Sequence, residues 1–78
     1  MQPIINVFIG RRIRNEECAS AKQMRILMSL CQELGNDFPF SNANEAKLHL
    51  GRMTVYRSIK QLQKGYKLVF VFPDKSEE

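Results

Sequence analysis

One histidine and two cysteines are all that these 78 residues offer to a metal ion or to thiol chemistry. His49 has no cysteine at a zinc-ligand spacing, and Cys18 and Cys31 stand thirteen residues apart, so the sequence assembles no structural zinc site. Two cysteines also make no disulfide framework. Cys31 falls on the apolar side of a helix, and both thiols are expected reduced. The four glycines, at 10, 35, 51 and 65, each sit at the boundary of an element, which excludes a glycine-rich loop cradling phosphate. Nothing supplies an oxyanion hole or a formed cleft beside Cys31, so no enzyme is expected, and no cofactor, metal or small-molecule substrate. Three helices in so short a chain are expected to leave no spare pocket volume of a few hundred Å3 for an effector. Apolar runs extend over only a few residues, far short of the roughly 20 that span a bilayer. The opening MQPIINVFIG puts its apolar residues before Arg11, Arg12 and Arg14, the reverse of a secretory signal, so an intracellular site follows as an expectation. Neither a repeat, a low-complexity tract nor a linker divides the chain, which reads as one domain. A domain this small buries only about 60% of the surface that its unfolded chain exposes, and dimerisation would add to a thin stability margin.

Charge is present but unevenly placed. Of a net +4, residues 1–15 carry +3 (Arg11, Arg12, Arg14), and residues 45–67 carry +5 (Lys47, Arg52, Arg57, Lys60, Lys64 and Lys67 against Glu45). Residues 16–44 and 68–78 each carry −2. From Arg52 to Lys67 there is no acidic residue at all. Two basic clusters in a chain of sequence pI about 9.4 suit a polyanionic partner better than the same charge dispersed would. The plainer reading of each cluster is a solvated face that keeps a small protein soluble.

Residues 4–9, IINVFI, are β-branched or aromatic apart from Asn6 and stop at Gly10, the pattern of a strand. Ser20 followed by Gln23 fits a capping box. Met24, Leu27, Met28, Cys31 and Leu34 then recur at helical spacing until Gly35. Pro39, between Phe38 and Phe40, excludes a helix there and leaves an extended connection that lays two aromatics over the core. Asn42, three residues before Glu45, starts a second, short helix ending near His49, with Ala46, Leu48 and Leu50 as its apolar contacts. A third helix runs from about Arg52 to Lys64 and closes at Gly65. Lys67 to Phe72 alternates too little to have one wet face, so it reads as a strand covered on both sides or paired at an interface, stopped by Pro73. The acidic tail, residues 74–78, is expected to fray.

The third helix carries the signal. Val55, Ile59, Leu62 and Tyr66 are spaced 4, 3 and 4 apart and form one buried stripe, which leaves Arg52, Met53, Tyr56, Arg57, Lys60 and Lys64 largely on the opposite side. An anchored helix that presents cations, an aromatic ring and a methionine outward suits a DNA groove.

The stretch from Glu45 to Val69, EAKLHLGRMTVYRSIKQLQKGYKLV, resembles the DNA-binding segment of winged helix-turn-helix regulators of the multiple-antibiotic-resistance type. Leu48, Leu50, Thr54, Val55, Arg57, Ile59, Leu62, Gly65 and Tyr66 occupy the positions which that pattern expects. Ala21 to Leu34 is similar to the helix packed behind it. The departures are Glu45 in place of a small alanine, His49 in place of the turn glycine, Gly51 in place of the N-cap serine, and one strand after the third helix where such proteins have two. Histidine tolerates positive φ better than a β-branched residue does, and glycine is an acceptable cap.

The resemblance implies an α+β fold: a three-helix winged helix-turn-helix (residues 20–65) with a short sheet formed by the N-terminal strand and the C-terminal strand (residues 66–73). The two strands would pair within one chain or across a dimer. It implies double-stranded DNA as partner and a homodimeric transcriptional regulator. Arg52, Met53, Tyr56 and Arg57 would approach base edges, and Thr54, Lys60 and Lys64 would contact phosphates. Arg11, Arg12 and Arg14, within residues 1–15, would act as a basic arm on flanking backbone or minor groove. The alternatives are an excisionase-like or replication accessory DNA-binding protein with the same surface, and a protein-interaction adaptor whose strands join a sheet with another chain.

Overall fold

The computed structural model describes residues 2–10 and 18–73. Five elements follow in the expected order: β1 (Ile4–Phe8), α1 (Ala21–Glu33), α2 (Ala43–Lys47), α3 (Arg52–Gln63) and β2 (Lys67–Val71). The helix ends are set by short-range chemistry. Ser20 Oγ accepts the Gln23 amide at 3.1 Å, and Gln23 Oε1 accepts the Ser20 amide at 3.2 Å, completing the capping box of α1. Asn42 Oδ1 accepts the Glu45 amide at 2.9 Å and starts α2. α1 and α3 stop alike. The amides of Gly35 and Asn36 bond back to the carbonyls of Gln32 and Cys31, and those of Gly65 and Tyr66 to Leu62 and Gln61. Both closures need a left-handed residue, and the two glycines take it at φ +74° and +91°.

β1 and β2 pair within the chain and run parallel, from Ile4 opposite Lys67 to Phe8 opposite Val71. The connection between them is the whole helical segment, the long crossover that parallel strands require. Among the described residues β2 thus meets β1 where a winged protein has a hairpin, and a second strand after α3, the mark of a wing, is absent. The inner face of the sheet, Val7, Ile9 and Leu68 with half-buried Ile5 and Phe70, closes on Met24, Leu27 and Cys31 of α1, Ala46 of α2, and Val55 and Leu62 of α3. Phe40 joins that core as expected, edge-on to Phe38 and Phe70 at centroid distances of 5.6 and 6.4 Å. Both cysteines are thiols.

Two packing expectations are corrected. Leu48 is not part of the core: α2 ends at Lys47, Leu48 is its C-cap, and the side chain is 65% exposed because the short helix turns Ala43 and Ala46 inward. β2 is covered on one face only, since the helices all lie on the side of Leu68 and Phe70 while Lys67 and Val69 face solvent. A long-range bond completes its edge. Asn36, placed by the closure of α1, is buried, and its Oδ1 accepts the Leu68 amide at 2.9 Å.

Candidate nucleic-acid interface

Four residues, Leu48 to Gly51, separate α2 from α3, and this turn is held from two sides. The Gly10 amide donates to the His49 carbonyl at 3.1 Å, and Gly51 forms an antiparallel bridge with Cys18. His49 donates its amide to the Ala46 carbonyl at 3.0 Å and stacks its ring on Phe40, 5.4 Å away and 8° from parallel. No non-glycine residue among those described has positive φ, so the turn closes without the left-handed geometry for which His49 seemed suited. Gly51 is the N-cap of α3, and it offers no side-chain cap. The first turn of α3 contains no acidic residue either, so the positive end of the helix dipole is left without a neutralising side chain.

The apolar stripe anchors α3 against α1 and the sheet, although its arc is displaced from the expected one. Val55 and Leu62 are buried, Ile59 and Tyr66 only half so, and Ser58 is buried where no core residue was expected. α3 packs chiefly on α1, and β1 borders the side that carries Thr54, Ser58 and Gln61 only across a groove. Ser58 can afford burial because its hydroxyl donates to the Thr54 carbonyl at 2.8 Å.

On the opposite side Arg52, Met53, Tyr56, Arg57, Lys60 and Lys64 are all exposed, and Thr54 is half-buried at the edge. At about 100° per residue, Met53, Lys60 and Lys64 lie near the centre of this face and Arg57 on its margin toward β1. Met53 is 57% and Tyr56 48% exposed, and neither belongs to the core. Lys60 Nζ lies 5.6 Å from the centroid of the Tyr56 ring. No carboxylate among the described residues pairs with these cations. Their charge is available to an external anion.

Arg57 also lines a groove of about 330 Å3 with Thr54, Ser58 and Gln61 on one wall and Asn6 and Phe8 of β1 on the other. Further surface grooves of about 320 Å3, beside β2 and the 35–39 connection, and about 370 Å3, on the outer side of α1, correct the expectation that no volume of this size exists. The space lies between elements at the surface, where counting helices gives no hint of it. Burial pushes the Cys31 thiol from 9.0 up to about 11, which leaves it almost wholly protonated at neutral pH and a poor nucleophile. Among the described residues no group of His, Cys, Asp and Glu could hold a metal ion, and no helix is long and apolar enough to cross a membrane. Arg11, Arg12 and Arg14, the expected basic arm, lie outside the described residues, as does the 74–78 tail.

The bridge from Cys18 to Gly51 and the burial of Ser58 escaped sequence reasoning. The first had no local signature. The second was legible only as a short polar side chain at i+4 from Thr54. Compared with known proteins, the chain matches no family model, no curated protein and no solved structure.

Proposed function

We propose that the chain binds double-stranded DNA by laying the outward face of α3 in the major groove, as a helix-turn-helix formed by α2 and α3, and that it acts as a homodimeric transcriptional regulator. The observation that carries this reading is the exposure of Arg52, Met53, Tyr56, Arg57, Lys60 and Lys64 together on one helix face, with no carboxylate among the described residues paired to them. Arginine forks two hydrogen bonds onto guanine, and methionine and tyrosine offer apolar contact to a thymine methyl; on that chemistry Arg52, Arg57, Met53 and Tyr56 read base edges. Lys60 and Lys64 are better suited to phosphates, joined by Thr54 near the uncapped amino end of α3. The single strand after α3 departs from winged regulators, so groove contact rests on α3 alone in this proposal. A dimer would address half-sites about one helical turn apart.

A mobility-shift titration against salt, with random duplex and with sites selected from a random pool, tests it. Arg57→Ala is expected to cost about 1–3 kcal/mol on selected sites and to relax preference among them. Lys60→Ala is expected to weaken all sequences alike and to flatten the salt slope by about one unit. A wild-type chain that fails to shift duplex at low salt, or binding that neither substitution alters, would reject the reading.

A further inference from the structure

The sheet has a face that the helices never reach. Parallel register puts Ile4, Asn6 and Phe8 of β1 on the same side as Lys67, Val69 and Val71 of β2. Phe8 is 70%, Ile4 62% and Val69 37% exposed, whereas the alternate residues Val7 and Leu68 are buried. Parallel strands occur almost only where both faces of the sheet are covered, and among the described residues only one cover is present. We infer that the missing cover is a second copy of this chain, packed face to face so that two two-stranded sheets form a sandwich about 10 Å thick. The inference deepens the homodimeric part of the reading above and does not depend on DNA.

Area, charge and the state of the edges favour this occupant. The exposed parts of Phe8, Ile4 and Val69, with half-buried Val71, amount to roughly 300 Å2 of apolar surface, taking whole side chains at the sizes usual for aromatic and aliphatic residues. The smallest stable interfaces bury about 600 Å2 per partner, of which a little over half is apolar, so the face is about large enough for a dimer of modest affinity. Among the described residues Lys67 is the only charged side chain that the register puts on the face, at one end opposite Ile4, and Arg57 borders the face beside Phe8. A two-fold axis running across the strands sends the two Lys67 ammonium groups to opposite rims, in water. It also lays Phe8 of each copy over Ile4 and the aliphatic stem of Lys67 of the other.

Pairing edge to edge is the geometric rival, and both edges are obstructed. On β2 the Leu68 amide is already bonded to Asn36, and on β1 the edge faces α3 across the Arg57 groove. Joined by their sheet faces, two copies keep Lys60 and Lys64 of both α3 helices clear of the contact, while Arg57 borders its rim beside Phe8.

Sedimentation equilibrium of the full chain without DNA, from about 1 to 500 μM, tests the proposal. The wild type is expected to pass from monomer to dimer within that range. Phe8→Glu and Val69→Glu are each expected to raise the dimer dissociation constant at least tenfold. Their thermal midpoints at 1 μM should stay at the wild-type value, since both side chains are exposed in the single chain. Leu48→Glu, similarly exposed but at the C-cap of α2 and not on the sheet, is expected to leave association unchanged. A wild type that is monomeric throughout overturns the proposal, as does a dimer broken by Leu48→Glu and untouched by Phe8→Glu. A Phe8→Glu monomer that melts earlier than the wild-type monomer also overturns it, because the chain would then be covering its own sheet. Each of these outcomes leaves the DNA titration free to succeed or fail separately.

Discussion

The outward face of α3 and the outward face of the sheet are both bare, and they are bare in opposite ways. On α3 the exposed apolar groups, Met53 and Tyr56, stand among Arg52, Arg57, Lys60 and Lys64. On the sheet, Phe8, Ile4 and Val69 share their face with a single lysine among the described residues, and Arg57 stands only at its border. Exposure alone therefore does not separate a site for polyanion from a site for a second protein surface; the charge mixed into the apolar surface does. A cationic face keeps its water until phosphates replace it, whereas an apolar face lowers free energy by losing water outright. The two faces adjoin only where Arg57 borders Phe8 and Asn6 across one groove, so Lys60 and Lys64 on one side and Ile4 and Val69 on the other can be perturbed separately.

The largest expected effect falls on the sheet side. Asn36 is the one buried side chain that ties α1 to the edge of β2, through Leu68. Asn36→Leu keeps most of the volume but leaves the Leu68 amide without its acceptor, at a cost of about 1–3 kcal/mol in denaturant unfolding. Hydrogen exchange at Leu68 should accelerate more than exchange within α3. Equal acceleration in the two elements would mean that sheet and helix open as one unit, and the two faces would no longer be separable.

Gly65 joins the two regions and gives a somewhat smaller effect. A Cβ added there meets nothing within 4 Å, so any penalty comes from its φ of +91° and not from a clash. Gly65→Ala is expected to destabilise by about 1–2 kcal/mol, and Gly65→Asn by less, since asparagine visits left-handed backbone more readily. Equal losses for the two variants in thermal unfolding would contradict this account of how α3 hands over to β2.

How much of this was legible beforehand depended on range along the chain. Ser20 with Gln23, Asn42 with Glu45, and the stops at Gly35 and Gly65 are signals within a turn of helix, and each appears where it was read. The exposed set on α3 was legible for the same reason, because helical spacing fixes which side chains oppose Val55 and Leu62. What could not be read was set by contacts distant in sequence. Asn36 reaches Leu68 thirty-two positions away, Cys18 meets Gly51, and the packing of α3 on α1 and the sheet buries Ser58. The uncovered side of β2 is of this kind too. An apolar run shows that a strand is buried somewhere, while the register against β1 decides which half of it is covered by this chain. Leu48 failed differently: a helix as short as α2 turns one short stripe inward, and Ala43 and Ala46 take it.

The smallest expected effect concerns the α3 face alone. Lys60 over Tyr56 is an exposed cation–π pair, worth about 0.5–1 kcal/mol at most. A double-mutant cycle of Tyr56→Leu and Lys60→Met, read by thermal unfolding, should return a coupling within that range and no larger, because water screens both partners. On selected duplex the same cycle should give a different answer. If Lys60 leaves the ring for a phosphate, the pair is broken in the complex, and its coupling in the free protein opposes binding by the same small amount. The unfolding cycle and the binding cycle should then differ in sign. A coupling of equal sign in both would place Lys60 on the ring in the complex as well, and would transfer its phosphate role to Lys64.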